Sequence, residues 1–161
     1  MNSFTVVAIP TDVADYVRST TKDPRYGHPA HSDVAVESAP CRHCLCLIQP
    51  GEKQILFTYD AFRGIETLPL PGPVYIHAEP CEPYRAASIF PPELRHSPRT
   101  LNAYASGRRL LGAEYVDDTT IDTALAQLCA RPEVAYVHVR STVAGCFTFR
   151  IDCAHTTATA S

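Results

Sequence analysis

A chain of 161 residues, 45% hydrophobic and 19% charged, is long enough to bury one substantial core, too short for two well-packed units, and too apolar for general disorder. Its formal net charge is −3 and only Arg108 and Arg109 are adjacent among scattered basic residues, so no electropositive stripe faces a run of phosphates. No run approaches the ~20 apolar residues that span a bilayer, so neither nucleic acid nor membrane is an expected partner.

Phe4 to Ile9 reads as a buried first strand: it lacks a preceding basic stretch and stops at Pro10, unlike a signal peptide. Thr11 is placed to cap a short helix in which Val13, Tyr16 and Val17 fall at i, i+3 and i+4. From Lys22 to Pro40, Pro24, Gly27, Pro29 and Pro40 break regular structure outside the neighbourhood of Val34 and Val36, so a long loop with the character of a lid is expected. Gln54 to Tyr59 and Pro73 to Ala78 are β-rich runs joined through Gly64, Pro69, Pro71 and Gly72, with Tyr75 and His77 on the face opposite Val74 and Ile76. Leu101 to Ala105 and Arg109 to Val116 are two further strands about a turn at Gly107.

The clearest helix covers about 119–130, where Ile121, Ala124, Leu125 and Leu128 recur at i, i+3, i+4 and i+7 behind Asp117 and Asp118 and before Pro132. Val134 to Arg140 and Gly145 to Asp152 then alternate as a hairpin closed by Ser141 to Ala144. One face carries Ala135, Val137, Val139, Phe147, Phe149 and Ile151; the other carries His138, Arg140, Cys146, Thr148 and Arg150, and is expected to be a solvated face or a meeting place for chemistry. The fold class that follows is α+β: a mostly antiparallel sheet packed by this helix and a shorter N-terminal one, in a single domain over 1–153 with a frayed tail over 154–161.

Seven cysteines, an odd number without an export signal, favour free thiols, metal ligation or buried packing over a disulfide framework, and with them a cytoplasmic address. Cys41, Cys44 and Cys46 lie within six residues, and Cys81 follows His77 by four, so two clusters in neighbouring strand-and-turn segments are positioned to converge. Cys41 and Cys44 have the two-residue gap of a zinc knuckle, which His77 and Cys81 would complete as a tetrahedral set. The second half is not Cys-x-x-Cys, and Leu45, Leu47 and Ile48 read as a strand entering the core, so the spacing alone does not require a metal. A redox reading of Cys41-Arg42-His43-Cys44 lacks the helix that such a motif opens. A catalytic reading takes His77 as general base oriented by Glu79 or Glu82, Cys81 or Cys146 as nucleophile, and Arg42 or Arg140 to bind a carboxylate or phosphate. There is no Gly-rich phosphate loop, nucleophile elbow or paired metalloprotease histidines.

The ordered motifs Pro40-Cys41-Arg42-His43-Cys44-Leu45, Pro50-Gly51-Glu52, Gly72-Pro73-Val74-Tyr75-Ile76-His77 with Cys81, and Gly145-Cys146-Phe147 together resemble the bacterial family catalogued as domain of unknown function 1203. The resemblance runs from about the first strand to Arg150 and implies a small stand-alone bacterial protein, with no activity to carry over. Two positions depart from the family's pattern: Asn102 stands where Arg precedes Ala103-Tyr104, and Arg140-Ser141 where His-Asn follow His138-Val139. If those positions line a site, the site of this member differs.

The first functional expectation is a cytosolic enzyme acting on a small polar metabolite, with His77, Cys81 and Cys146 catalytic and Arg42, Tyr104, His138 and Arg140 binding the ligand. The second is a non-catalytic zinc-stabilised binding module using Cys41, Cys44, His77 and Cys81, and zinc is the only cofactor that enters. The third is an interaction protein whose cysteines are packing residues.

Overall fold

The structure is a computed structural model and describes residues 4–155; the expected tail lies, from 156 onward, outside the described residues. The alternating segments of the C-terminal half, with the first strand, build a five-stranded antiparallel sheet in the order β1 (Phe4–Val7), β10 (Phe147–Cys153), β9 (Tyr136–Ser141), β7 (Arg99–Tyr104), β8 (Leu110–Val116). Helix α2 (Ile121–Ala130) lies between β8 and β9 in the chain and packs on one face of this sheet. Its Ile121, Leu125 and Leu128 are buried against Leu101, Val137, Val139, Phe149 and Ile151, the residues whose periodicity marked them as core. Each such side chain contributes about 1.5–3 kcal/mol of apolar burial, so Leu125 is a position where truncation to Ala breaks the packing.

A second, three-stranded sheet has the order β2 (His31–Val34), β5 (Lys53–Asp60), β6 (Pro71–His77), and a two-stranded ribbon pairs β3 (Ala39–Pro40) with β4 (Leu47–Ile48). Helix α1 (Thr11–Thr20) buries Val13, Ala14 and Val17 in a core shared with Ile55, Phe57, Val74 and Ile76, and with Cys41 and Cys44. The two helices and predominantly antiparallel sheets are the α+β architecture expected.

Four local expectations are corrected. Thr11 is the first helical residue and makes no cap bond; the N-cap is Pro10, and Tyr16 is largely exposed while Ala14 takes its place in the core. The segment 22–40 is not a lid without structure: Asp23 accepts backbone N–H bonds from Arg25, Tyr26 and His28, and the chain then pairs as β2 along β5. All of β2 is exposed, and an edge strand with neither face buried carries no hydrophobic alternation to reveal it. In the C-terminal hairpin a β-bulge between Phe147 and Phe149 leaves Phe147 opposite Arg140 and Phe149 opposite Val139, so Phe147 turns to the polar face, away from Phe149 and Ile151. Finally, Cys129 at the end of α2 is disulfide-bonded to Cys153 at the end of β10, while the other five cysteines are free. Twenty-four residues of separation and different element types hid that pair.

Candidate metal centre

The chain from Cys41 to Cys46 forms a tight knuckle between β3 and β4. The Leu45 N–H donates to the Cys41 carbonyl at 2.8 Å, the Cys41 N–H donates to the Cys46 carbonyl at 2.9 Å, and Leu45 takes a φ of +57° to turn the backbone after the second thiol. The Arg42 N–H donates to the Tyr75 carbonyl at 3.0 Å, tying the knuckle to β6 and bringing it beside His77 at the strand's end. Four residues on, the chain places Cys81 against the same group.

The result is a compact set of donors. The Sγ atoms of Cys41, Cys44 and Cys81 and a ring nitrogen of His77 all lie within 4.8 Å of one another, a group suited to hold a metal ion. Cys41 Sγ and Cys81 Sγ are 3.9 Å apart, and Cys44 Sγ is 3.5 Å from His77 Nδ1. His77 Nε2 is 3.2 Å from Glu52 Oε2, so the Nε2–H donates outward to the carboxylate and Nδ1 is turned to the thiols. Hydrogen bonds from Cys44 and Cys81, then from His77, hold the Cys41 thiol well below the ordinary thiol range, and those two donors are correspondingly raised. Hydrogen bonding to Cys41, supported by Glu52, raises His77. The cluster therefore gathers negative charge on sulfur and shares protons among its members.

A second ring of groups supports it. The His77 N–H donates to Cys41 Sγ at 3.3 Å, and Arg18 on α1 donates from Nη2 to Cys81 Sγ at 3.2 Å. His43, inside the knuckle and 1% exposed, sets Nδ1 3.1 Å from Cys81 Sγ and Nε2 2.9 Å from Thr11 Oγ1. With the Nδ1 proton donating to sulfur, Nε2 accepts from the Thr11 hydroxyl, and burial pushes this imidazole below its ordinary pKa. Thr11, Arg18 and Glu52 escaped the sequence reading, because nothing in their spacing from the cysteines announces them. Cys46 stands outside the set, and burial pushes its thiol up to about 11.

The remaining candidate residues fall in two other places. Arg42 is buried, donates from Nε to the Phe147 carbonyl at 3.0 Å and from Nη1 to the Pro40 carbonyl at 2.8 Å, and burial pushes it down to about 10. It lines a cleft of about 460 Å³ together with Cys146 and Tyr75. Tyr104, His138 and Arg140 lie on the other face of the five-stranded sheet. His138 is fully buried, not solvated, and touches Phe62, Tyr104, Tyr136 and Phe147 with ring centroids 4.8 to 5.2 Å away. Neither of its nitrogens has a hydrogen-bond partner among the described residues, and burial, with Arg140 and Arg150 nearby, pushes it down to about 3. Asn102 and Arg140 both reach this face: Asn102 is the register partner of His138, and Arg140 has its guanidinium 6.0 Å from the centre of the Phe147 ring. The structure thus joins His77 and Cys81 to Cys41 and Cys44, and sets Arg42 with Cys146, and Tyr104 with His138, elsewhere.

Residues 38–153 match the family described as Protein of unknown function (DUF1203). Neither a curated protein nor a solved structure matches the chain.

Proposed function

The chain belongs to the family of unknown function DUF1203, and we propose, from its own donor set, that it is a zinc-stabilised binding domain in which Cys41, Cys44, His77 and Cys81 hold one structural ion. The observation that carries this reading is the spacing of the donors. Zinc bonds of about 2.3 Å to sulfur and 2.0–2.1 Å to nitrogen in a tetrahedron imply donor-to-donor edges of roughly 3.6–3.8 Å. Two of the six edges, 3.9 Å between Cys41 and Cys81 and 3.5 Å between Cys44 and His77, lie close to those values, and no pair is farther apart than 4.8 Å. Three soft thiolates and an imidazole favour zinc over hard cations.

Three further features support a structural over a hydrolytic ion. Four protein donors close a tetrahedral shell and leave no position for water or substrate, whereas catalytic zinc keeps one open. The Glu52 carboxylate on the outer nitrogen of His77 is the support that metal-bound imidazoles require. Three thiolates on a divalent ion leave one net negative charge, which the Arg18 guanidinium and the His77 N–H offset. In this reading the ion clips the knuckle, the end of β6 and the Cys81 segment to one another, and holds α1 through Arg18. His77 and Cys81 serve as ligands, and a catalytic task for either falls away. The thiolate set also suits a reducing, cytoplasmic setting.

Elemental analysis of the purified chain is expected to find about one zinc per molecule, and a strong chelator is expected to unfold it, since binding free energy here is folding free energy. Metal-free protein that remains folded and retains its melting temperature would overturn the proposal.

A further inference from the structure

Beyond the metal centre, between the three-stranded sheet and the turn of the β9–β10 hairpin, the cleft of about 460 Å³ has walls that are mostly apolar, with Leu47, Leu56 and Tyr75 among them. Its size is that of a small-molecule site. Two arginines open on it, Arg42 from the knuckle and Arg99 from the start of β7, and each is 4% exposed. No carboxylate lines the cleft, and neither arginine forms an ion pair among the described residues. Two like charges have been taken out of water into one cavity without a counter-charge, an arrangement that destabilises the fold by itself.

Their hydrogen bonding is also incomplete in one direction. Arg42 uses Nε and Nη1 on backbone carbonyls, and Arg99 uses only Nε, on the Leu94 carbonyl at 3.1 Å. The other terminal nitrogens, Nη2 of Arg42 and both of Arg99, have no protein partner among the described residues and are not sealed from solvent. The cleft that both residues line thus holds donors without acceptors. Planar guanidinium forks match the two oxygens of a carboxylate or phosphate, and a lysine would not do so.

We propose that this cleft binds a small molecule that joins an anionic head, a carboxylate or phosphate, to an apolar body, with Arg42 and Arg99 holding the head. The anion supplies the missing counter-charge, and the apolar walls take the body. Cys146 lies at the rim, on the hairpin. The inference rests on charge and cavity and does not depend on which metal, if any, fills the neighbouring centre.

The test is calorimetric titration of the full chain as purified with benzoate, phenyl phosphate and the neutral benzyl alcohol. At least one anion is expected to bind tenfold or more tightly than benzyl alcohol, and which of the two does so identifies the head group. Arg99→Met is expected to weaken that binding at least tenfold while keeping or raising the melting temperature of the free protein, because the charge removed had no partner. A purely structural arginine would instead lower the melting temperature and leave binding unchanged. Should the variant not fold, the wild-type chain supplies a second readout: the anion is expected to slow alkylation of Cys146 at least threefold and leave Cys46 unaffected. Equal binding of benzyl alcohol and both anions, undiminished anion binding in Arg99→Met, or no protection of Cys146 would each overturn the proposal.

Discussion

His77 and His138 stand on different sheets of one small protein and illustrate opposite uses of an imidazole. His77 is half-buried, with Nδ1 toward Cys44 Sγ and Nε2 on Glu52, so each ring nitrogen has a partner and its charged form is favoured. His138 is fully buried among four aromatic rings, has no partner for either nitrogen among the described residues, and stays neutral down to about pH 3. Ligand character therefore follows from the partners a histidine keeps, and burial alone yields an inert, costly one. Acid acts on the two regions by different routes: protons would compete with the proposed ion at His77 and its thiols, whereas at His138 the unfolded chain takes up the proton first.

The comparison breaks most visibly at the proposed metal ligands. Cys44→Ser is expected to abolish stoichiometric zinc and to remove amide protection from α1, β5 and β6 by orders of magnitude, given that structural zinc contributes about 10–16 kcal/mol in small domains. Hydrogen exchange followed strand by strand checks this, and unchanged protection in β6 would mean that the centre does not hold that strand. Next in size is Glu52→Gln, which keeps the ligands but weakens the support of His77. It is expected to lower zinc affinity 10- to 100-fold in competition with a chromophoric chelator.

The smallest effect concerns His138 and appears only in acid. Its folded pKa of about 3 lies below the ordinary 6.5, so the unfolded chain binds the extra proton first. Its contribution is fully present well above pH 6.5 and is lost progressively as pH falls toward 3, on the order of 1–2 kcal/mol between pH 6.5 and 5. His138→Phe, which keeps an aromatic ring and removes both unpartnered nitrogens, is expected to flatten that slope in urea titrations at the two pH values and to leave zinc content unchanged. A slope identical to wild type would show that His138 is protonated in the folded state.

Much of the fold was legible because it is written in short-range periods. Ile121, Leu125 and Leu128 share one face of a helix whatever they pack against, and Val137, Val139, Phe149 and Ile151 share one face of a hairpin. The convergence of Cys41 and Cys44 on His77 and Cys81 was legible too, since soft donors clustered in two strand-and-turn segments of a small chain suit one tetrahedral set, although the segments belong to different sheets. What stayed hidden depends on contacts between distant segments. Arg18 reaches the Cys81 thiol, and Thr11 reaches His43, only because α1 packs beneath β6, and Phe62 closes over His138 from a turn that precedes it by more than seventy positions.

The chain by itself thus determined the α+β class, the core face of α2 and the hairpin, and it offered Cys41, Cys44, His77 and Cys81 as one donor set, because each rests on residue chemistry and near-neighbour spacing. Tertiary structure decided the rest. The bulge at Thr148 reversed Phe147, the packing of Phe62, Tyr104 and Tyr136 sealed a face that reads as polar, and the approach of β7 to the knuckle put Arg99 beside the cleft that Arg42 lines. Burial and pairing belong to the whole arrangement, so the residue types that announce a site do not say which of them it will contain.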